Sequence, residues 1–266
     1  MTTVSSSTDT LTERYQLAQV IARAAGLLAQ DYFNNRDKLI IEEKRHPQDL
    51  VSEADKAVEQ KIRQMIAADF PNDGQIGEEF GQTKGDTGYS WVIDPIDGTA
   101  PFLNGMPGWC VSIAVMQGQE IVAGVIFAPV LDEMIVAMRG CGTFLNGTQV
   151  RVSDQTLQSG LLGVGANDRI SPEVTAEMFQ TLMAAGTSWV RYGSGALMLA
   201  WVAAGRLVGY VEPLMSIWDC AAAYCLIKEA GGTTRALPPE HEIMAPFPVL
   251  GSNALIFDEV DVVLPA

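Results

Sequence analysis

The sequence contains few histidines and few cysteines, and this limits the metal and redox sites that it can build. Only two of its 266 residues are histidine, so a site that needs three histidine ligands is excluded. The four cysteines lack the paired spacing of a zinc site and lie in apolar or mixed surroundings. We therefore expect Cys110, Cys141, Cys220 and Cys225 to be buried, reduced thiols.

Positive charge is also scarce. The chain has 17 Lys and Arg against 32 Asp and Glu, a formal net charge of −15. A nucleic-acid or anionic membrane surface needs a basic footprint, so we expect neither as a partner. No apolar run reaches the length of a membrane span, and residues 1–7 lack the basic and apolar regions of a secretory signal. These patterns predict a cytoplasmic protein.

The apolar residues that are present predict a globular fold with two lobes. They make up 48% of the chain, which is enough for a substantial core. Residues 8–152 begin with two amphipathic helices and continue as antiparallel strands, an α+β pattern. Residues 153–266 alternate between strands and helices, an α/β pattern. Because no Gly/Ser-rich linker separates the two lobes, we expect them to share one continuous interface.

The stretch Trp91–Thr99 is the strongest candidate for a functional site. An apolar run typical of a buried strand leads into Asp94 and Asp97, and Pro95 is predicted to end that strand because it has no N–H for a sheet ladder. One short turn separates the two carboxylates, so both can face one point, where their charges repel unless a cation lies between them. An all-oxygen site of this kind favours Mg²⁺. An ordinary surface turn is the alternative interpretation, since Asp, Pro and Gly are common turn residues.

Further acidic residues stand where short apolar strands end or helices begin. Glu78 and Glu79 follow one strand, and Asp219 lies between Trp218 and an apolar helix. A buried charge there is costly unless it is paired or bound to a metal. Capping of the helix by Asp219 is the simpler alternative, and the two roles are compatible. Metal-free acid/base catalysis stays open, although several acids without a basic partner favour a metal.

The motif Asp-Pro-Ile-Asp-Gly-Thr at residues 94–99 resembles the signature of the inositol monophosphatase family of Mg²⁺-dependent, Li⁺-sensitive phosphatases. The resemblance covers nearly the whole chain and implies a layered αβαβα sandwich of the sugar phosphatase type, with combined α+β and α/β lobes. It also implies metal-assisted hydrolysis with two or three Mg²⁺ ions and no phosphoenzyme. The metal ligands that it implies are Glu78, Asp94, the carbonyl of Ile96, Asp97 and Asp219.

The resemblance implies catalytic roles as well. Asp55 and Thr99 would orient the attacking water and take its proton, and Glu78 would act with them through the metal. Backbone N–H groups at Gly98 and Thr99 would bind phosphate oxygens. Lys44 matches a lysine on a mobile loop near the third metal.

A second stretch that resembles the same family indicates which residues would contact the substrate. Residues 191–196 are similar to the family's Arg-x-x-Gly-Ser/Thr-Ala stretch, which lines the leaving-group pocket. The residues expected to contact the substrate are Ser194, Gly195, Ala196, Glu212 and Asp219. For Glu212, an exposed strand end is the alternative. The chain departs from the family pattern at Ala100 and Ala223, which leaves the metal ligands intact and the substrate open.

We therefore predict a Mg²⁺-dependent phosphomonoesterase that acts on a small polyol phosphate such as inositol monophosphate. Histidinol phosphate is the closest rival, because Glu212 and the acidic field would favour its amine. The nucleotide 3′-phosphoadenosine-5′-phosphate is less favoured. Ala100 stands where histidinol phosphatases and such nucleotidases often carry lysine, which weakens both rivals modestly. Fructose-1,6-bisphosphate would need basic residues for a second phosphate, and the sequence identifies no such set.

Two expectations concern partners. A non-catalytic interaction protein that retains the fold is the distant alternative to an enzyme, and loss of a metal ligand would be its mark. The family resemblance implies a homodimer, with apolar surface near Trp109 as part of the interface.

Overall fold

A long helix opens the described part of the chain. The structure is a computed structural model, and it describes residues 7–43 and 50–264. The α-helices, in chain order, are α1 (Ser7–Asn34), α2 (Glu53–Asp69), α3 (Thr99–Leu103), α4 (Pro172–Ala184), α5 (Gly195–Ala203), α6 (Ile217–Glu229) and α7 (Phe257–Asp261).

The strands of the first half form a small hairpin and one large sheet. They are β1 (Ile41–Glu43), β2 (Leu50–Ser52), β3 (Gly74–Gly77), β4 (Gly81–Thr83), β5 (Tyr89–Asp97), β6 (Cys110–Gln117), β7 (Glu120–Ala128), β8 (Glu133–Met138), β9 (Gly142–Leu145) and β10 (Thr148–Val150). Within the described ranges, β1 pairs with β2, and the other eight form a sheet in the order β10-β9-β8-β7-β6-β5-β3-β4. Only the β3–β5 pair in this sheet is parallel, which agrees with the predicted antiparallel run.

The strands of the second half form a smaller, mixed sheet. They are β11 (Leu161–Val164), β12 (Ser188–Val190), β13 (Gly209–Met215), β14 (Thr233–Thr234) and β15 (Phe247–Ser252). Among the described residues, their order is β12-β11-β13-β15-β14, with β11 parallel to β12 and β13, and β15 antiparallel to β13 and β14.

Helices and sheets alternate in five layers. α1 and α2 cover one face of the large sheet, α5 and α6 lie between the two sheets, and α4 and α7 cover the outer face of the small sheet. This confirms the predicted αβαβα sandwich. The central core joins residues of both halves, such as Ala114 and Ile126 with Ala222 and Leu226. The division at residues 152/153 stays a prediction.

The start of α2 is set by a capping box. The Ser52 hydroxyl accepts the amide hydrogen of Ala54 at 3.2 Å, and the Ser52 N–H donates to the Asp55 carboxylate at 2.9 Å. Ser52 is thus the N-cap of α2. Because the same carboxylate also accepts the Ser52 hydroxyl, Asp55 is held in one orientation at the edge of the site.

Pro95 does not end its strand, and this part of the prediction was wrong. β5 continues to Asp97. Asp94 pairs with Ser112, but Asp97 pairs with Cys110, so β5 has one residue more than β6 between these two pairs. This is a β-bulge, one of the few places in a sheet where proline is tolerated. The bulge turns both carboxylates toward the same end of the sheet.

Trp109 itself is fully buried against Phe33 and Phe102, and a dimer interface formed by the surface around it stays a prediction. One expectation about side-chain exposure was wrong. Cys141 is exposed, whereas the other three cysteines are buried as predicted; its position after the β8 strand, in a turn, leaves it outside the core. Of the helices described, none is long and apolar enough to span a membrane.

A buried ion pair ties α1 to the large sheet. Arg14 Nε and Nη2 donate to the two carboxylate oxygens of Asp73 at 2.7 and 2.8 Å. Asp73 also accepts hydrogen bonds from Thr87 at 2.6 Å and from the Trp91 indole at 2.9 Å. Burial opposes ionisation, but these hydrogen bonds outweigh it and lower the pKa of Asp73 below 3.8. The carboxylate therefore stabilises the folded state.

Asp73→Asn is expected to lower the free energy of unfolding by about 3 kcal/mol at pH 7. The guanidinium of Arg14 lies between the rings of Phe70 and Tyr89, and a buried charge that loses its partner is strongly destabilising. Because the folded-state pKa is lowered, the stabilisation is present above about pH 4 and is lost as the pH falls through that lowered pKa. Urea unfolding at pH 7 and at pH 3 would measure this. An equal gap between parent and variant at both pH values would contradict the prediction.

Candidate active site

Three carboxylates from distant parts of the sequence meet at the edge of the large sheet. Asp94 and Asp97 come from the bulged end of β5, and Asp219 comes from the first turn of α6. One oxygen from each lies within 4.8 Å of the other two. The predicted pairing of Asp94 with Asp97, and the addition of Asp219 from the second half, are therefore present in the fold.

The electrostatics of this cluster are unfavourable without a cation. Burial, followed by the charges of Glu78, Asp97 and other acids, raises the pKa of Asp94 well above 3.8, and burial with Asp97 and Glu78 does the same for Asp219. Burial raises the pKa of Asp97 to about 6, although hydrogen bonds from Ser194 and nearby amides lower it. Such an all-oxygen donor set, with Asp94 and Asp97 buried and Asp219 partly buried, fits a hard divalent cation, which would offset the repulsion.

Glu78 lies directly after β3, beside β5. Its N–H donates to the carbonyl of Ile93 at 3.3 Å, and its charge contributes to the raised pKa of Asp94 and of Asp219. Among the described residues, the group of carboxylates within 4.8 Å of one another does not include it. Glu78 therefore borders the cluster from the β3 side.

Asp219 does not cap its helix in the way that the sequence suggested. Ser216 is the N-cap of α6, and Asp219 is the third helical residue. The Ser216 N–H donates to the Asp219 carboxylate at 3.0 Å. Because this bond uses one carboxylate oxygen and one Asp219 oxygen lies within 4.8 Å of oxygens of Asp94 and Asp97, a structural and a metal-binding role are compatible.

Ser194, Gly195 and Ala196 lie against Asp97. The Ser194 hydroxyl donates to its carboxylate, and so do the amides of Gly195 at 3.3 Å and Ala196 at 2.8 Å. These amides are at the N-terminus of α5, where unpaired N–H groups favour an anion. The start of α5 therefore fixes Asp97 from the second half of the chain. Contact of these three residues with a substrate stays a prediction.

Thr99 and Asp55 meet across the site. The Thr99 hydroxyl lies 3.3 Å from a carboxylate oxygen of Asp55 and 3.3 Å from the carbonyl of Ile96. Gly98, with φ of 94°, turns the chain from β5 into α3. A Cβ there would lie 2.9 Å from the Gly108 carbonyl oxygen and from the Ser194 Cβ, so only glycine allows this close approach.

A cleft of about 180 Å³ opens beside the cluster. Besides Asp97 and Asp219, the polar side chains that line it are those of Asn167, Arg169, Arg191, Tyr210 and Glu212. Glu212 is buried within β13, so the alternative of an exposed strand end was wrong. The sequence analysis did not identify Asn167, Arg169 or Tyr210. Of these, only Tyr210 had a usable signal, since it stands two residues before Glu212 and therefore on the same face of its strand.

Glu212 is held by its neighbours. It accepts hydrogen bonds from the Tyr210 hydroxyl at 2.5 Å and from the Asn167 side chain at 2.8 Å. Burial raises its pKa, and the hydrogen bonds from Tyr210 and Asn167, together with the charges of Arg169 and Arg191, oppose that rise. The cleft therefore combines acceptor and donor groups on its wall.

Three other predicted positions have different outcomes. Lys44 lies outside the described residues. Ala100 is exposed on α3, and Ala223 is fully buried in the core between the sheets. Neither alanine belongs to the carboxylate cluster, which agrees with the expectation that these departures leave the metal ligands intact.

Comparisons with known proteins agree with this geometry. The sequence pattern of the inositol monophosphatase family matches residues 10–258. The inositol-1-monophosphatase of Rhizobium meliloti is 39% identical over 81% of this chain and 82% of its own length, and the histidinol-phosphatase of Chlorobaculum parvum is 38% identical over 84% and 85%. The solved structure of the extragenic suppressor protein suhB from Bartonella henselae superimposes with a TM-score of 0.86 at 31% identity, covering 93% of this chain and 96% of that one.

A layered αβαβα fold with an acidic cluster at its edge defines a class of phosphoric monoester hydrolases. The chain belongs to the inositol monophosphatase family. Enzymes of this family generally use Mg²⁺, and the cluster of Asp94, Asp97 and Asp219 is the matching feature here.

Proposed function

We propose that this protein hydrolyses the phosphate monoester of a small polyol, such as inositol monophosphate. The observation that carries the proposal is the cluster of buried Asp94 and Asp97 with partly buried Asp219, beside the cleft that contains Glu212. An acidic cluster alone would bind a cation, and the adjacent cleft adds room for a leaving group. The two features together support a hydrolase that acts on a phosphorylated small molecule.

Mg²⁺, as two or three ions, is the proposed cofactor. The residues that would hold it are Glu78, Asp94, the Ile96 carbonyl, Asp97 and Asp219. When bound, it would lower the pKa of a coordinated water and neutralise the charge of the phosphate. Li⁺ sensitivity is part of this proposal. Lys44 is proposed to lie near the third ion, on grounds of its sequence alone.

Thr99 and Asp55 are proposed to handle the proton of the attacking water. The carboxylate of Asp55 is fixed by Ser52 and faces the Thr99 hydroxyl at 3.3 Å. A threonine whose hydrogen points to Asp55 presents its oxygen lone pairs toward the cluster, where they can accept the proton of a water. The amides of Gly98 and Thr99 are proposed to bind phosphate oxygens at the start of α3.

The wall of the cleft favours a neutral polyol over a cationic leaving group. Two relatives of almost equal similarity carry the names inositol-1-monophosphatase and histidinol-phosphatase, so similarity does not separate these substrates. Glu212 is already engaged by Tyr210 and Asn167, and the charges of Arg169 and Arg191 act on it. An amine would meet these guanidinium groups, whereas a hydroxyl can use both the carboxylate and the donors around it.

Histidinol phosphate remains the second candidate, since a relative at 38% identity bears that activity in its name. A nucleotidase acting on 3′-phosphoadenosine-5′-phosphate is less supported, because Ala100 offers no positive charge to a second phosphate. Relatives named Nus factor SuhB keep a non-catalytic role as the distant alternative.

We also retain a homodimer and a cytoplasmic location as proposals, with no nucleic-acid or membrane partner.

Phosphate release over a panel of substrates tests the proposal. The panel contains inositol-1-phosphate, histidinol phosphate, 3′-phosphoadenosine-5′-phosphate, fructose-1,6-bisphosphate and glycerol-2-phosphate. Each is tested with Mg²⁺, with Mg²⁺ plus Li⁺, and with EDTA. We expect the highest kcat/KM for inositol-1-phosphate, loss of turnover in EDTA and inhibition by Li⁺.

Glu212→Gln provides a matched variant for the same panel. It keeps the size of the side chain but removes the charge, so it should raise KM for inositol-1-phosphate while changing kcat little. A preference for histidinol phosphate in the parent protein would reverse the choice of substrate. No turnover of any substrate, with Mg²⁺ bound, would contradict the proposal.

A further inference from the structure

Glu59 is a buried acid close to the turn that carries Glu78, and the chemistry proposed above does not use it. Glu59, on α2, is fully buried. It forms an ion pair with Arg63 one turn later in the same helix, with 2.7 Å between Nε and the carboxylate. A buried carboxylate is costly unless it is paired and hydrogen-bonded, so the other partners of Glu59 indicate what it does.

Those partners are the backbone amides of the turn that carries Glu78. One carboxylate oxygen of Glu59 accepts the N–H of Glu79 at 2.7 Å, and the other accepts the N–H of Phe80 at 3.3 Å. These two residues connect β3 to β4, directly after Glu78. The carboxylate of Glu59 therefore closes the turn from the side of α2.

Arg63 and Gly77 complete this arrangement. Arg63 donates to the carbonyl of Gly81, the residue that follows the turn. Gly77 precedes Glu78, and a Cβ at that position would lie 2.1 Å from the nearer oxygen of Glu59. The absence of a side chain at Gly77 thus allows the carboxylate to reach the turn. The α2 side chains thus hold the turn at residues 79–81, and Gly77 leaves the space that the Glu59 carboxylate needs.

We propose that Glu59, supported by Arg63, is a positioning residue that fixes the turn after β3 and thereby sets where the Glu78 carboxylate stands relative to Asp94 and Asp219. The Glu78 N–H still pairs with the Ile93 carbonyl, so the backbone before the turn is set by the sheet. The backbone after it is held by the pairing of β4 with β3 and by the contacts to α2 described above. This inference rests on the proposed function, because Glu59 acts through a metal ligand.

Glu59→Gln tests the inference. Glutamine keeps the volume of the side chain but offers one acceptor oxygen where the turn needs two, and its NH₂ group faces an N–H donor. Loss of a partner that orients a ligand typically weakens metal binding by about tenfold or more. We expect the Kd for Mg²⁺, measured by calorimetry on the metal-free protein, to rise by about tenfold. At saturating Mg²⁺, KM for the substrate should stay unchanged.

Asp73→Asn is the matched control. It also removes the charge of a buried carboxylate that is paired with an arginine and bonded to other groups, but it is not attached to the turn after β3. We expect this variant to lower the unfolding midpoint without changing the Kd for Mg²⁺. A merely structural role for Glu59 would give Glu59→Gln the same behaviour and would overturn the inference.

Arg63→Lys is a second variant in case Glu59→Gln does not fold. Lysine keeps the positive charge beside Glu59 but lacks the planar fork that reaches Glu59 and the Gly81 carbonyl together. The Kd for Mg²⁺ should rise in the same direction but less, and an unchanged Kd in this variant would overturn the inference. If the parent protein itself bound no Mg²⁺, both the proposed function and this inference would fail, whereas unchanged binding in the variants alone would remove only the inference.

Discussion

Asp94→Asn is expected to lower kcat/KM for phosphate release by about 1,000-fold or more. Asp94 is buried in the cluster with Asp97 and Asp219. Metal-assisted stabilisation of the developing charge contributes several kcal/mol, and each 1.36 kcal/mol corresponds to about a factor of ten in rate. Asparagine keeps the size of the side chain and can still accept the Ile96 N–H, which lies 3.0 Å from Asp94. The loss should therefore come from the charge and not from the fold.

The same variant should have the opposite effect on the stability of the metal-free protein. Removing one of several mutually repelling carboxylates lowers the cost of folding, as the raised pKa of Asp94 indicates. In EDTA at pH 7 we expect a higher unfolding midpoint than in the parent, and Mg²⁺ should stabilise the parent but not the variant. Asp86→Asn, on an exposed loop, makes the same change in net charge and serves as the control. Phosphate release equal to that of the parent would remove the proposed metal site.

Thr99→Val is expected to lower kcat by about 100-fold or more, the range of general acid–base catalysis. Valine has the shape of threonine but no hydroxyl, so the contacts to Asp55 and to the Ile96 carbonyl, both at 3.3 Å, are lost. Thr99 is proposed to act on the proton of the water and not as a side-chain ligand of the cation. The Kd for Mg²⁺ should therefore remain close to that of the parent, in contrast to Asp94→Asn.

Thr99→Ser is the matched control, because it keeps the hydroxyl and loses only a methyl group. It should retain most of the activity. If serine lowered kcat as much as valine, the hydroxyl by itself would not account for the role of Thr99, and the proposed proton transfer would lose its support. If Thr99→Val left kcat unchanged, proton transfer through Thr99 and Asp55 would be excluded.

The sequence predicted those parts of the site that depend on neighbouring residues. The spacing and chemistry of the Asp94–Thr99 stretch predicted a cation site, and the apolar run before it predicted a buried strand, which is β5. The periodicity of the apolar residues predicted the order of helices and strands. Each of these signals acts over one or two turns of chain, and local hydrogen bonding and side-chain alternation are enough to produce it.

Some errors show where local patterns reach their limit. Pro95 looked like a strand end, yet the pairing of β5 with β6 accommodates it as a bulge. Cys141 was expected to be buried, yet it lies in an exposed turn after β8. Asp219 looked like a cap, although Ser216 takes that position. For Pro95 the deciding contact is made with another strand, β6, which its own neighbours do not reveal, whereas the cap at Ser216 lies only three residues before Asp219.

By itself, therefore, the sequence determined which residues carry charge at the ends of strands and helices, and hence the kind of chemistry to expect. Only the tertiary structure decided which of these residues meet. Asp97 is held by Ser194 and by amides 98 and 99 residues further along the chain, and Glu59 reaches the turn after Glu78 from a separate helix. The first contact arises because α5 is buried between two sheets and the second because α2 packs on the large sheet, and burial of a shared apolar core has no local signature in the sequence.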